Sequence, residues 1–162
     1  MSELKLQFTN EEAMLAWAHS AATCLQEGLV IHLLGDLGMG KTTLSRGLIQ
    51  GMGHKGNGKS PTYTLVEPYE LGNLKLYHFD LYRLGDPEEL EYMGVRDYLN
   101  SDSICLIEWP EKGAGVLPEP DLKINIEQWQ LGRQLVVQAL TACGQVQLKN
   151  WASISLTGKD GK

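Results

Sequence analysis

The stretch Leu29-Val-Ile-His-Leu-Leu-Gly-Asp-Leu-Gly-Met-Gly-Lys-Thr42 contains two patterns in direct succession. Residues 29–34 are almost continuously apolar, which is typical of a strand that is buried on both faces of a parallel sheet. Residues 35–42 match the pattern Gly-x-x-x-x-Gly-Lys-Ser/Thr, the P-loop, which binds the phosphates of nucleotides. This motif requires a strand before it and a helix after it, and both are predicted here. The stretch therefore predicts an α/β fold with a nucleoside triphosphate site at the end of a parallel strand.

Each residue type in the P-loop has a chemical reason to be there. The glycines let backbone N–H groups turn inward and approach phosphate oxygens closely. The N-terminus of the following helix adds partial positive charge. Lys41 supplies a charge for the β- and γ-phosphates, and Thr42 offers its hydroxyl to Mg²⁺. The other residues of the predicted cradle are Gly35, Asp36, Leu37, Gly38, Met39 and Gly40.

A carboxylate follows a second apolar run, because Glu108 comes directly after residues 104–107. P-loop proteins hold Mg²⁺ or its bound water with an acidic residue at the end of a neighbouring strand. Glu108 is therefore the candidate metal ligand, and the alternative is an exposed glutamate at a strand end. His78 and Asp80 are two residues apart and share one face of a predicted strand. Asp80 is suited to orient either the attacking water or a water next to the metal's ligands, whereas His78 is interpreted as a packed or hydrogen-bonded core histidine.

Other candidates keep two interpretations each. A hydroxyl within residues 60–64 either senses the γ-phosphate or belongs to an ordinary strand. Trp109 either stacks on a nucleotide base or caps the core. Arg83, Arg96 and Arg133 are candidate charge stabilisers, and Arg83 is equally suited to pair with acidic neighbours.

The remaining elements are predicted from alternation, capping residues and Gly/Pro content. They are a strand at 4–8, a helix that starts after Thr9 or Asn10 and stops at Gly28, a helix at 41–50, strands at 62–70 and 74–81, a short helix at 87–92, a strand at 103–107, a loop at 110–120, and strands near 122–128, 133–140 and 145–149. The predicted fold class is α/β, a P-loop NTPase-like mixed β-sheet flanked by helices, with antiparallel C-terminal strands. Residues 1–150 are predicted to form one P-loop ATPase domain, and residues 151–162 a flexible C-terminal tail.

The composition excludes several classes of protein. The 162 residues are 43% hydrophobic and 21% charged, as in an ordinary globular domain. No apolar run is long enough to span a membrane, and the first residues do not resemble a secretory signal. The three cysteines, Cys24, Cys105 and Cys143, match no zinc or redox spacing, so we expect a cytoplasmic protein with reduced thiols.

The charge is acidic and unevenly distributed. The net charge is −6, and residues 61–127 carry five Lys/Arg against fourteen Asp/Glu. An acidic chain without a basic stripe is not expected to bind nucleic acid through phosphate contacts by itself. The acidic stretch is either a solvated face or a docking surface for a protein partner.

Four segments resemble the bacterial TsaE (YjeE) family, the ATPase component of tRNA threonylcarbamoyladenosine biosynthesis. They are residues 35–43, residues 60–69, residues 77–83 with their continuation through Asp86-Pro-Glu-Glu-Leu90 and Met93-Gly94, and residues 107–110. Together they cover about residues 30–112. The first segment is common to many P-loop proteins, whereas the other three in this order are specific to the family.

The resemblance implies a small P-loop fold that binds ATP and Mg²⁺ and slowly hydrolyses ATP to ADP. It also implies that the chain joins a heterodimer of TsaD- and TsaB-like proteins, which modifies the adenosine beside the anticodon in tRNAs that read codons beginning with A. The carbamoyl transfer takes place on TsaD, and hydrolysis supports turnover of the assembly. tRNA is then reached only through the complex, and we expect no membrane and no DNA partner.

The resemblance also implies roles for individual residues. Lys41 and the P-loop amides hold phosphates, Thr42 and Glu108 hold Mg²⁺, and Asp80 supports hydrolysis. The implied catalytic set is Lys41, Asp80 and Glu108. The remaining residues implied for nucleotide binding are Thr43 beside the α-phosphate, Trp109 near the nucleotide, Thr9 and Glu11 on the adenine side, and Arg133.

Three other functions compete with this interpretation. A small P-loop kinase needs an acceptor pocket and usually an arginine-bearing lid, and the region after Glu108 has few arginines. A GTPase normally carries an Asn-Lys-x-Asp stretch, which this sequence lacks. An assembly module that uses ATP only as a structural ligand stays open, because Asp80 and Glu108 favour hydrolysis but do not set its rate.

Overall fold

The computed structural model describes residues 2–55, 65–99 and 102–154. Within them the chain forms a seven-stranded sheet and five α-helices. The strands are β1 (Glu3–Phe8), β2 (Val30–Leu34), β3 (Val66–Leu71), β4 (Leu74–Asp80), β5 (Ser103–Glu108), β6 (Leu122–Trp129) and β7 (Gly132–Ala139). The helices are α1 (Glu11–Ala22), α2 (Lys41–Gly51), α3 (Glu88–Tyr92), α4 (Val95–Tyr98) and α5 (Ala142–Ala152).

The sheet is mixed, in the order β1-β7-β6-β2-β5-β4-β3. The central strand β2 is parallel to β5 and β6, and β4 is parallel to β5. The pairs β1/β7, β6/β7 and β3/β4 are antiparallel. The predicted fold class is therefore confirmed, including the antiparallel C-terminal strands. Because β2, β4 and β5 run in one direction, the segments that follow them emerge at the same edge of the sheet.

Two apolar clusters cover the two faces of the sheet. On β5, Ile104 and Leu106 join the larger cluster, while Cys105 and Ile107 join the smaller one. The larger cluster contains the buried side chains of α1, α2 and α5, and the smaller one those of α3 and α4. Strand β5 is buried along its whole length, as its uninterrupted apolar sequence predicts.

Helix α1 is shorter than predicted. Asn10 is its N-cap, and its Oδ1 accepts the N–H of Ala13 at 2.8 Å, as expected. The helix ends at Ala22 rather than at Gly28, since the next three backbone N–H groups donate to carbonyl oxygens three residues back instead of four. The side chain of Gln147 holds this segment, because it donates to the Cys24 carbonyl oxygen and accepts the N–H of Gln26, both at 3.0 Å. Gly28 instead has a positive φ of 83° and forms the turn into β2.

The strand predicted at 145–149 is wrong, because these residues lie in helix α5. Thr141 caps the helix by accepting the N–H of Gly144 at 3.0 Å. Gln147, Leu148 and Trp151 are buried at helical spacing, so the apparent alternation was part of a 3.6-residue period. The predicted loop at 110–120 also contains a short 3₁₀ helix, Pro110–Gly113.

Trp151 belongs to the core and not to a flexible tail, so the tail predicted for residues 151–162 does not begin there. Its side chain is fully buried, and its ring lies 5.4 Å from that of Trp17, centroid to centroid. Its indole N–H donates to the Ala21 carbonyl oxygen at 3.1 Å. Residues 155–162 lie outside the described residues, so flexibility of that segment stays a prediction. Among the described helices, none has the length and apolar character needed to cross a membrane.

Candidate nucleotide site

The P-loop connects β2 to α2 at the edge where the parallel strands end. Gly40 precedes the helix with a φ of 108°, a conformation that residues with a Cβ rarely adopt. At Gly35, a Cβ atom would lie 2.6 Å from the Ile126 carbonyl oxygen of β6. The glycines of the motif thus serve both the turn and its close approach to the sheet.

A cleft of about 370 Å³ opens beside the P-loop. It brings together ten of the predicted residues: Glu11, Leu37, Gly38, Gly40, Lys41, Thr42, Thr43, Asp80, Glu108 and Trp109. Arg83 and Tyr82 complete its wall. Gly35, Asp36 and Met39 line a neighbouring cavity against β6 instead.

Glu108 lies at the bottom of the cleft and is only 2% exposed. This burial excludes the alternative of an exposed glutamate at a strand end. Thr42 donates its hydroxyl to Oε1 of Glu108 at 3.2 Å. Since β4 and β5 pair in parallel with Asp80 opposite Glu108, the two carboxylates are neighbours across the sheet. The structure therefore joins the hydroxyl and both carboxylates that the sequence predicted.

Lys41 begins helix α2 and is buried. Its ammonium group donates to the carbonyl oxygen of Gly35 and, at 3.4 Å, to that of Asp36. It also lies 3.9 Å from the centroid of the Trp109 ring, which is within cation–π distance. Trp109 has a φ of 59°, so the chain turns sharply after Glu108 and places this ring over the P-loop lysine.

Burial shifts the protonation of two side chains in the cleft. It lowers the pKa of the Lys41 ammonium, and nearby carboxylates, above all that of Glu108, act in the opposite direction. Burial raises the pKa of Asp80; the hydrogen bond from the Tyr82 backbone N–H opposes this, and the Glu108 charge reinforces it. A polyanionic ligand in the cleft would stabilise the charged form of Lys41.

Glu11 and Arg133 lie together at the flank of the P-loop. The Nε of Arg133 donates to the Met39 carbonyl oxygen at 2.8 Å, and its Nη2 lies 4.0 Å from Oε2 of Glu11. Thr9 follows β1, which pairs with β7. It therefore lies beside Gly132, the residue before Arg133, where an added Cβ would lie 2.6 Å from the Thr9 carbonyl carbon. Arg133 thus braces the P-loop backbone from a strand nearly a hundred residues away.

The other arginine candidates differ in position. Arg83 lines the cleft, whereas Arg96 pairs with Glu91 at 3.1 Å on an exposed surface. The interpretation of Arg96 as a charge stabiliser at the site is therefore wrong. The proposed hydroxyl sensor in residues 60–64 lies outside the described residues.

Sequence reasoning missed two residues near the centre of the site. Tyr82 stacks at 5.0 Å from the Trp109 ring, centroid to centroid. Ser45 donates its hydroxyl to Oε2 of Glu108 at 3.4 Å. Its position one helical turn after Thr42 was the available signal, because residues at i and i+3 lie on the same face of a helix.

The family model described as "Threonylcarbamoyl adenosine biosynthesis protein TsaE" matches residues 8–135. The chain belongs to the TsaE family. The tRNA threonylcarbamoyladenosine biosynthesis protein TsaE of Haemophilus influenzae is 51% identical over 150 residues, which cover 90% of this chain and 95% of that protein. The protein of the same name from Bacillus subtilis is 38% identical over 128 residues, covering 79% and 80%.

A solved structure supports the same assignment. The crystal structure of Bacillus subtilis YdiB matches with a TM-score of 0.77 and 29% sequence identity, covering 94% of this chain and 96% of that one. The TsaE match runs past both ends of the candidate site, since Thr9 and Arg133 lie within residues 8–135. The resemblance found in four sequence segments is thus confirmed.

The residues of this TsaE chain fit a nucleotide-bound Mg²⁺ better than a metal held by protein alone. In residues 2–55, 65–99 and 102–154, no group of three or more His, Cys, Asp or Glu side chains is arranged to hold a metal ion. Mg²⁺ usually keeps several waters and takes one or two protein ligands together with phosphate oxygens. One hydroxyl, Thr42, and one carboxylate, Glu108, beside a phosphate cradle meet that requirement.

Proposed function

We propose that this chain is a slow Mg²⁺-dependent ATPase that serves tRNA threonylcarbamoyladenosine formation. The observation that carries the proposal is the 3.2 Å contact between the Thr42 hydroxyl and the buried Glu108 carboxylate at the base of the P-loop. Asp80 stands next to Glu108 across the paired strands. Binding alone would need only the cradle, so two adjacent carboxylates favour hydrolysis.

Each residue has a defined task in this proposal. Lys41 and the P-loop amides bind the phosphates, and Thr42 and Glu108 hold Mg²⁺. Bound between these two residues and the phosphates, Mg²⁺ would supply positive charge that offsets the charge of the phosphates. Asp80 orients the attacking water and accepts a hydrogen bond from it. Its raised pKa suits a carboxylate that shares a proton with water.

The proposal includes partners that take over the rest of the reaction. The chain joins a heterodimer of TsaD- and TsaB-like proteins, and the carbamoyl transfer takes place there. A net charge of −6 agrees with a protein that reaches tRNA through partners rather than through its own basic groove. Since ATP and tRNA are both cytoplasmic, the proposal places the chain in the cytoplasm.

The test is ATP hydrolysis by the purified chain, alone and with the heterodimer, at increasing Mg²⁺. We expect weak hydrolysis alone and a clear increase with the heterodimer. Glu108→Gln should abolish the Mg²⁺-dependent part while nucleotide binding persists, because the amide is a poor metal ligand. Glu119→Gln is the matched control, since Glu119 is an exposed glutamate that does not line the cleft.

Two results would contradict the proposal. If the Glu108→Gln variant hydrolysed ATP at the rate of the unmodified chain, Glu108 would not be the metal ligand and another residue would have to take that role. Equal hydrolysis with and without the heterodimer would point to a stand-alone acceptor substrate, and so to a small P-loop kinase.

A further inference from the structure

Among the described residues, three side chains contact the carboxylate of Glu108, one closely and two at longer distances. Thr42 lies 3.2 Å from Oε1 and 3.5 Å from Oε2, and Ser45 lies 3.4 Å from Oε2. Hydrogen bonds between two oxygens are usually 2.5–3.0 Å long, so these hydroxyl contacts are weak. His78 approaches much closer, with Nε2 2.6 Å from Oε2. The histidine is therefore the contact that fixes the carboxylate.

His78 makes this contact from a buried position within the sheet. It lies on β4, opposite Leu106 of β5, and is only 1% exposed. Within the described part of the chain, its other ring nitrogen, Nδ1, has no hydrogen-bond partner. Buried side-chain nitrogens are usually satisfied, and a histidine that only filled the core would be replaceable by an apolar residue without this desolvation cost. Its single hydrogen bond goes to Glu108, which gives the polar side chain a reason to be there.

We propose that His78 is a positioning residue for Glu108, holding Oε2 so that Oε1 stays directed toward Thr42. This inference rests on the proposed function, in which Thr42 and Glu108 would hold Mg²⁺. An ionised carboxylate only accepts hydrogen bonds, so in this arrangement the imidazole tautomer with the proton on Nε2 is the one that can donate to Oε2. Without that donor, the terminal torsion of Glu108 has a broad, nearly two-fold energy profile, and the weak hydroxyl contacts do not fix it.

The test compares variants of His78 in Mg²⁺ titrations of fluorescent N-methylanthraniloyl-ADP binding. His78→Leu should raise the Mg²⁺ concentration for half-maximal effect about tenfold, as is typical when a partner that orients a metal ligand is lost. Affinity for the same nucleotide in EDTA should stay near that of the unmodified chain. His78→Gln should restore most of the Mg²⁺ response, because its Nε2 lies the same number of bonds from the backbone. His78→Asn, whose amide is one bond shorter, should behave like His78→Leu.

Ser45 makes a weaker contact to the same Glu108 oxygen, so Ser45→Ala is the control. We expect this variant to change the Mg²⁺ response less than His78→Leu does. ATP hydrolysis should follow the same order of variants. Melting curves establish that each variant is folded, and His78→Gln keeps the comparison informative if His78→Leu is unstable.

Two outcomes would overturn the inference. One is a Mg²⁺ response of folded His78→Leu equal to that of the unmodified chain. The other is an equal loss of affinity with Mg²⁺ and in EDTA, with no difference between the glutamine and leucine variants, because that pattern belongs to a purely structural histidine. If the unmodified chain binds nucleotide with Mg²⁺ dependence but does not hydrolyse ATP, the proposed function fails, while the order of the His78 variants still supports the positioning role.

Discussion

At the scale of single residues, the site concentrates ionisable groups where water is scarce. Lys41 begins α2, and Asp80 and Glu108 end two adjacent strands, so the fold itself brings their charges together. Charges interact more strongly in such partly desolvated surroundings than in bulk water. We therefore expect a substitution of Lys41 to change ligand binding and a substitution of Asp80 to change stability.

Lys41→Ala should weaken ATP binding by roughly 10–100-fold, which corresponds to loss of a hydrogen bond between charged groups. The reason is that the ammonium group is buried and lines the cleft, where the proposed function has it bind the phosphates. Isothermal titration calorimetry with ATP measures the change. Lys149→Ala is the control, because this exposed lysine lies on α5 and does not line the cleft. Equal affinities of the Lys41 variant and the unmodified chain would contradict the assignment.

Asp80→Asn should stabilise the chain at neutral pH in the absence of nucleotide. In the folded protein the pKa of Asp80 lies above its ordinary value of 3.8, mainly because of burial. Below that value the carboxyl group is protonated in both states, whereas above the raised folded pKa its ionisation costs stability. Asparagine keeps an Oδ1 that can accept from the Tyr82 N–H but carries no charge.

Melting temperatures measured between pH 4 and pH 8 test this prediction. The gain from Asp80→Asn should be largest near neutral pH and shrink toward the acid end. Glu119→Gln, at an exposed position, should show no such trend. A constant or reversed difference would mean that burial does not penalise the Asp80 charge.

At the scale of secondary-structure elements, the P-loop depends on how closely α2 packs against α1. A Cβ at Gly47 would lie 2.8 Å from that of Ala18, and a Cβ at Gly51 would lie 2.7 Å from both the Ala22 Cβ and the His19 carbonyl oxygen. Small residues one turn apart on each helix thus let the two backbones approach. Since α2 carries Lys41 and Thr42 at its N-terminus, this packing also fixes the position of the cradle.

Gly51→Ala should lower the free energy of unfolding by about 1–2 kcal/mol. Overpacking costs roughly 1–3 kcal/mol, and the better helix propensity of alanine returns up to about 1 kcal/mol. The clash is with backbone, which cannot move aside as a side chain does. Urea unfolding followed by circular dichroism measures it. Gly85→Ala is the control, because its Cβ would meet only the end of the Glu89 side chain, and a larger loss there would contradict the packing argument.

At the scale of the whole molecule, the acidic charge is concentrated in the middle of the sequence. Residues 61–127, which include β3, β4, β5, the short helices α3 and α4 and most of β6, carry five Lys/Arg against fourteen Asp/Glu. Part of that charge is structural. Glu89 accepts the backbone N–H groups of Gly85 and Asp86, and Glu91 pairs with Arg96. Such a surface repels the phosphate backbone of a nucleic acid.

The isolated chain should therefore bind tRNA with a dissociation constant weaker than about 10⁻⁴ M at physiological salt, the weak end of non-specific binding. Filter binding with labelled tRNA, with and without the TsaD–TsaB-like heterodimer, measures this. Retention of tRNA should require the heterodimer. Micromolar binding by the chain alone that weakens steeply with salt would show a phosphate-binding surface of its own.

The misses in the sequence analysis share one cause. The end of α1 is predicted at Gly28 because glycine commonly ends helices, but the helix ends at Ala22, where the Gln147 side chain binds the backbone of Cys24 and Gln26. Helix α5 was interpreted as a strand because a few alternating residues fit both periods. Its burial against α1, through Trp151 and Trp17, decided between them. In both cases local propensity was overruled by contacts that a short window of sequence does not contain.

The sequence by itself determined the strand, P-loop and helix at residues 30–51 and the carboxylates that follow two buried strands. These depend on contiguous residues whose pattern is dictated by backbone geometry and burial. Only the tertiary structure decided that His78 holds Glu108, that Arg133 braces Met39 and that Trp109 covers Lys41. The contacting residues are between 30 and 94 positions apart in the sequence. Their distances are set by strand order and register, which no single segment encodes.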